Sequence, residues 1–132
     1  MKAAIFAVCL VALAPPAIAN SPFDYGWGMA DAHVPMGDTF FNVWVQKTRN
    51  TILLEPSVKT ALVGGGHYPD TTWRTVAEAF VQPVGCGISE VRPLLRIGAA
   101  WEATYVCPDG VDLRSLVKSQ RPLLQHGAKL HG

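Results

Sequence analysis

Two cysteines, Cys86 and Cys107, stand near the two ends of one short segment of the chain, residues 84–108. If the chain is exported, it meets an oxidising environment, where an even number of cysteines indicates a disulfide. A metal-binding pair and a redox-active pair are the alternatives, but redox motifs usually separate their cysteines by only about two residues. The sequence therefore predicts a structural Cys86–Cys107 bridge whose sulfurs do not react.

Export is indicated by the N-terminus. Lys2 supplies a positive charge, residues 3–14 are apolar, and Ala17-Ile18-Ala19 places small residues on either side of a larger one just before Asn20. This is the pattern of a secretory signal peptide. A membrane anchor is the alternative, but a spanning helix needs roughly 20 apolar residues and this run is shorter. We expect residues 1–19, with the third cysteine, to be removed and the mature protein to be periplasmic or secreted.

The segment between the cysteines has the composition of two strands. Residues 88–94 and 99–106 are rich in β-branched and aromatic side chains, and Gly98 suits the turn between them. A hairpin with Arg96-Ile97 at its tip and one uniform register would place the two cysteines opposite each other. Pro93 indicates an edge strand or a bulge.

That uniform register has a consequence for catalysis. Glu90 and Glu102 would lie on opposite faces of the sheet, so they could not form a two-carboxylate acid–base site. The chain also has no Gly-x-Ser-x-Gly elbow, no His-Glu-x-x-His motif, and no lysine and hydroxyl after its glycine run at 64–66. The sequence predicts no catalytic residue, no enzyme activity and no cofactor.

The remaining periodicities predict the fold. Residues 39–46 and 51–55 alternate with a period of two and form a second hairpin, whereas residues 57–66 fit either a strand or a helical turn. One helix should begin at a cap formed by Asp70 or Thr71, and a second near Asp112 should kink or end at Pro122. We expect a small single α+β domain, an antiparallel sheet of two hairpins covered on one face by two helices, with one disulfide.

The chain divides into a signal peptide (1–19), an irregular arm (20–38), the α+β domain (39–127) and a flexible C-terminal tail (128–132). The arm is rich in glycine, proline and aspartate and carries three aromatic residues at alternating positions: Phe23, Tyr25 and Trp27. These side chains either pack onto the domain or form an exposed strip that binds a partner.

Charge restricts the class of partner. Loss of Lys2 with the signal peptide lowers the 11 basic residues to 10, against 10 acidic ones. A neutral chain with scattered charges argues against nucleic acid, which requires a basic face, and against an anionic membrane surface. No later segment is apolar enough for stable membrane insertion.

Two histidines suggest a metal. His33 lies beside Asp31 and His67 lies near Asp70, both in predicted loops, and neutral imidazole is a ligand for Zn and Cu. Ordinary surface histidines are the alternative, and we expect no tight metal site. The sequence thus predicts a non-enzymatic bacterial envelope module that binds a protein or peptide partner through its sheet and aromatic arm. The alternative is a periplasmic protein that handles Zn or Cu.

Overall fold

The computed structural model describes residues 28–57, 68–94 and 100–132. Its elements, in chain order, are β1 (Ala32–Met36), β2 (Thr39–Val45), β3 (Thr51–Pro56), α1 (Asp70–Val81), a 3₁₀ turn (Gln82–Val84), β4 (Gly87–Pro93), β5 (Trp101–Val106) and α2 (Leu113–Leu124). The strands form one antiparallel sheet in the order β1-β2-β3-β5-β4. This confirms the predicted α+β class with two helices and one disulfide.

The first strand lies in the segment that the sequence predicts to be an irregular arm. Ala32 and Val34 are buried and Met36 is half-buried, so one side of β1 packs against the core. Pro35 is tolerated because β1 is an edge strand, where one missing N–H breaks no internal ladder. Gly37, at φ 63°, turns the chain into β2. The glycine and proline content that indicated a loop therefore belongs to the turn and to the sheet edge.

The second predicted hairpin is confirmed as β2 and β3. Phe41, Val43, Ile52 and Leu54 are fully buried on the side of the sheet that faces the helices. The turn is held by Gln46, whose side-chain oxygen accepts hydrogen bonds from the amides of Thr48 and Arg49. Tyr105 connects β5 to this turn, because its amide donates a hydrogen bond to the carbonyl of Asn50 at 2.9 Å. Residues 58–67, which include most of the undecided segment, lie outside the described ranges.

The hairpin of β4 and β5 follows the predicted register only at its base. Cys86 and Cys107 form the disulfide, and Gly87 pairs with Val106 directly inside it. An irregularity between Ile88 and Glu90 then shifts the pairing by one residue, so Glu90 lies opposite Thr104 and Arg92 opposite Glu102.

The expectation that Glu90 and Glu102 point to opposite faces is therefore wrong. Because paired residues share a face and side chains alternate along a strand, the bulge brings both glutamates to the same side. Glu102 is 1% exposed and accepts two hydrogen bonds from the guanidinium of Arg92 at 3.0 and 2.7 Å. It is held by this ion pair. The predicted hairpin tip, Arg96-Ile97, lies outside the described residues.

Both helices pack on the same face of the sheet. One face of α1 is buried, with Trp73 stacked on Trp101 of β5 at 5.5 Å between ring centroids. Pro69 occupies the N-cap position of α1 and no side chain caps the helix, so the predicted cap at Asp70 or Thr71 is wrong. Both of these residues already belong to the first turn of the helix.

The last helix begins where it was expected, directly after Asp112, and the side chain of that residue caps it by accepting a hydrogen bond from the amide of Ser115. Pro122 does not end α2, which continues to Leu124, and the amide of Gln125 still donates to the carbonyl of Arg121 at 2.9 Å. Of the two predicted effects of Pro122, a kink or an end of the helix, the second is therefore wrong. Pro122 lacks the N–H of one helical hydrogen bond, but the turn that follows stays intact because the later amides still have carbonyl acceptors.

The residues after Gly127 also contact the domain. Leu130 is 3% exposed and belongs to the main core. The side chain of Gln120 in α2 donates to the carbonyl of His131 at 2.6 Å and accepts from its amide at 3.0 Å. These contacts connect residues 130 and 131 to α2, whereas the sequence places them in a flexible tail.

Candidate functional site: a cationic cleft

An open cleft of about 520 Å³ lies between α2 and the end of the sheet where β2 leads into its turn. Four cationic side chains and one carboxylate line it: Lys47, Arg114, Lys118, Arg121 and Asp31. These groups give the described lining a formal charge of +3. The whole chain carries only +1, so the positive charge of the cleft is a local feature.

Helix α2 supplies three of the four cations. Arg114, Lys118 and Arg121 recur at intervals of four and three residues, which places them on one side of the helix. No acidic residue follows Asp112 in the sequence, so α2 contains no carboxylate that could neutralise them. The charges of the chain were expected to be scattered, whereas those of this segment are all positive. This unbalanced C-terminal segment was the signal that could have indicated the site.

The two arginines are fixed to the walls of the cleft. Arg114 donates from Nε to the carbonyl of Gln46 at 3.1 Å and from Nη2 to Oδ1 of Asn50 at 2.9 Å. Arg121 donates to the carbonyl of Met29 at 3.0 Å and lies 3.3 Å from Oδ1 of Asp31. The guanidinium groups therefore join α2 to the β2–β3 turn at one end and to the start of the sheet at the other.

Asp31 is held in the same network. Its Oδ2 accepts a hydrogen bond from the amide of Val45 at 2.8 Å, while its other oxygen faces Arg121. The only carboxylate of the described lining is thus engaged with the wall. An anionic ligand could therefore bind the remaining cations without displacing Asp31.

The two lysines differ from the arginines. Within the described ranges, neither Lys47 nor Lys118 makes an ion pair or a side-chain hydrogen bond. Lys47 belongs to the β2–β3 turn and Lys118 to α2, so the two lysines come to the cleft from different elements. They are therefore the groups available to a ligand, whereas the arginines maintain the shape of the site.

Apolar surface completes the cleft. Trp44 reaches the cleft where its indole N–H donates to the carbonyl of Gly28 at 3.1 Å, and its side chain also packs with Leu53, Leu94 and Ala100 on the face of the sheet opposite the helices. Met29 is 72% exposed at the rim, and Val45 and Val117 contribute to the lining. No histidine, cysteine, serine or glutamate is among the described lining residues. The arrangement can bind an anion that also carries apolar groups.

The predicted metal ligand His33 lies elsewhere, on the face of the sheet opposite the helices. It pairs with Asn42, and its ring meets the edge of Phe40 at 4.8 Å between centroids. Nδ1 of His33 and Oδ1 of Asn42 are both buried without a hydrogen-bond partner. The described part of the chain brings together no group of three histidine, cysteine or acidic residues that could hold a metal.

Glu55 extends this row of polar residues, since it pairs with Asn42 on the next strand. Burial raises the pKa of the Glu55 carboxyl above its ordinary value. His67, the second predicted ligand, lies outside the described residues, so the joining of His33 and His67 in one site stays a prediction. Phe23, Tyr25 and Trp27, the predicted aromatic strip, also precede the first described residue.

No protein-family model, curated protein or solved structure matches this chain. The helices within the described ranges are all too short and too polar to cross a bilayer.

Proposed function

We propose that this chain is an exported, periplasmic or secreted, non-enzymatic module that binds a protein or peptide partner in the cationic cleft. The observation that carries the proposal is the combination found there: two lysines that make no ion pair or side-chain hydrogen bond within the described ranges and an anchored tryptophan, in a site whose arginines bond to its walls. The arginines and Trp44 need little reordering when a partner binds, whereas Lys47 and Lys118 lose side-chain freedom that their new ion pairs must offset.

Export is supported by the charged and apolar N-terminal pattern and by the Cys86–Cys107 disulfide, which suits an oxidising compartment. We expect the exported protein to begin at Asn20, because signal peptidases cleave after small-residue patterns such as Ala17-Ile18-Ala19. Intact-mass analysis of protein recovered outside the cytoplasm checks this. A mass that still includes residues 1–19 would contradict the proposal.

The predicted aromatic residues of the arm belong to this proposal. Trp27 directly precedes Gly28 in the sequence, and Gly28 lines the cleft, so the chain leads from these residues into the binding surface. Phe23, Tyr25 and Trp27 are therefore candidate contacts for the same partner. Aromatic side chains are enriched at the centres of protein interfaces.

Site-specific photo-crosslinking in the exporting cell tests where a partner binds. A photoreactive residue at Met29 samples the rim of the cleft, and one at Phe40 samples the opposite face of the sheet. Glu78 on α1 is the control position. We expect one discrete crosslinked protein from Met29, reduced by Lys118→Gln, and none from Glu78. A discrete product from Phe40 alone would move the binding surface to the sheet face and contradict the cleft.

The second candidate, Zn or Cu handling, has one observation in its favour. Nδ1 of His33 and Oδ1 of Asn42 are adjacent potential ligands that lack hydrogen-bond partners. We nevertheless expect only weak metal binding. Calorimetry with Zn²⁺ and Cu²⁺ decides, because saturable tight binding that is lost in both His33→Ala and His67→Ala would favour the metal-handling function over partner binding.

A further inference from the structure

We propose that the occupant of the cleft is an acidic peptide segment, whose carboxylates pair with Lys47 and Lys118 while an apolar side chain of the same segment packs beside Trp44. This inference rests on the proposed function and specifies the chemistry of the partner.

The sign of the partner follows from the charges of the cleft. The described lining carries a formal charge of +3 in a protein that is otherwise close to neutral. A concave site of one sign focuses its field and attracts ligands of the opposite sign. Asp31 is the only carboxylate of the described lining, and it pairs with Arg121. The charges of the two lysines are therefore left to be neutralised by the ligand.

The shape of the cleft favours a peptide over other polyanions. Its volume of about 520 Å³ falls in the range of sites that enclose a small ligand or a few side chains. A flat membrane surface cannot enter a depression of this size, and a nucleic-acid duplex is itself convex and too wide for it. The four cations come from α2 and the β2–β3 turn and border one depression, which suits a chain segment that can enter it.

The chemistry of the lining separates a carboxylate peptide from a simple phosphate. Lysine ammonium groups are compact point charges that pair with carboxylate or phosphate oxygens, and arginine provides a planar fork that either anion can accept bidentately, so the cations alone do not separate the two anions. Some of the N–H groups of both arginines already donate hydrogen bonds to oxygens of the protein. Met29, Trp44 and Val45 add apolar surface that inorganic phosphate could not use.

Fluorescence anisotropy on the mature protein, residues 20–132 with the disulfide intact, provides the test. The probe is a labelled peptide, Glu-Glu-Leu-Glu-Glu. We expect saturable binding that weakens as the salt concentration rises. The neutral peptide Gln-Gln-Leu-Gln-Gln should not bind measurably, and Glu-Glu-Ser-Glu-Glu should bind less tightly because it lacks the apolar side chain.

Matched variants locate the binding to the cleft. We expect Lys47→Gln and Lys118→Gln each to weaken binding of the acidic peptide several-fold, and the double variant about tenfold. Lys129→Gln removes the same charge from an exposed position that does not line this cleft, and it should leave binding nearly unchanged. Circular dichroism of each variant confirms that the fold is retained.

Several results would overturn the inference. These are absence of saturable binding to the acidic peptide, equal binding of the neutral peptide, equal losses in Lys129→Gln, complete competition by millimolar inorganic phosphate, and tighter binding to phosphatidylglycerol vesicles. If crosslinking from Met29 captures a partner while the acidic peptide does not bind, the proposed function stands and only the assigned chemistry fails. If neither occurs, both fail.

Discussion

Two carboxyl groups in this protein have pKa values displaced in opposite directions. Glu55 is half-buried in β3, and desolvation raises its pKa because the charged form loses contact with water. Asp112 is exposed at the N-cap of α2, where hydrogen bonds from the side chain and amide of Ser115 lower its pKa. Each displacement makes the stability of the fold depend on pH, with opposite sign.

We expect Glu55→Gln to raise the free energy of unfolding at neutral pH. The folded state holds the Glu55 proton more tightly than the unfolded chain does, so wild-type stability falls as pH rises from the ordinary carboxyl value of 4.5 through the raised pKa. The glutamine side chain does not ionise and avoids this loss. Urea unfolding of both proteins between about pH 3 and pH 8 measures the difference, and the advantage of the variant should disappear at the acid end.

Asp112→Asn is the matched comparison, since it also removes one negative charge. The lowered pKa of Asp112 contributes stability that is present above the ordinary value of 3.8 and is lost as pH falls through the folded value. The variant should therefore be less stable than wild type near neutrality and equal to it in strong acid. If both variants show the same sign near pH 7, burial of Glu55 is not the cause of its effect.

The hairpin of β4 and β5 shows how single elements are stabilised. The disulfide closes its base, the bulge at Ser89 offsets its register, and Arg74 of α1 donates to the carbonyl of Ile88 at 2.7 Å. Pro93 lacks an N–H at the far end of the same strand. A bulge, a proline and a covered carbonyl are devices that protect an edge strand from pairing with another chain. This edge is therefore a poor docking surface, which supports placing the partner in the cleft.

Removal of the disulfide should destabilise the protein without altering its binding surface. We expect the double variant Cys86→Ser/Cys107→Ser to lose about 2–5 kcal/mol of unfolding free energy, because the bridge restricts the unfolded chain. Urea unfolding measures the loss, and the acidic peptide serves as the functional readout where the variant remains folded. Thiol counting on denatured, unreduced protein is the direct check. Two reactive thiols in mature exported protein would show that the bridge does not form in the cell.

Across the whole molecule, the N-terminal strand, the last helix and the C-terminal residues depend on one another. Arg121 and Gln125 of α2 donate to the carbonyls of Met29 and Ala30, just before β1. Gln120 of the same helix forms two hydrogen bonds with His131, and Leu130 packs in the core. The position of α2, and with it one wall of the cleft, thus depends on both ends of the described chain.

We expect Leu130→Ala to destabilise the protein by about 2–5 kcal/mol, the usual range for truncation of a buried leucine. Lys129→Ala alters the adjacent exposed residue and should have little effect. Thermal or urea unfolding distinguishes the two variants. Equal stability of Leu130→Ala and wild type would instead support the flexible tail that the sequence predicts for residues 128–132.

The sequence by itself determined the features that depend on local periodicity and on composition. Alternating residues indicated β2 and β3, apolar residues at helical spacing indicated α1 and α2, and the even number of cysteines in the mature chain indicated the bridge. These signals are readable because each element must bury one face whatever surrounds it. Glycine and proline obscured β1, whose place at the sheet edge tolerates them.

Only the tertiary structure decided the register beyond Ser89, the packing of Leu130 and the cleft. The bulge inserts one residue into β4 and so moves Glu90 to the face of Glu102. The pattern of side chains in the sequence does not indicate this change. Lys47 and Lys118 are far apart in the sequence, and the packing of α2 beside the β2–β3 turn brings them to one site. Long-range contacts of this kind depend on how the amphipathic faces pack together, whereas the periodicity of a segment specifies only that it has such a face.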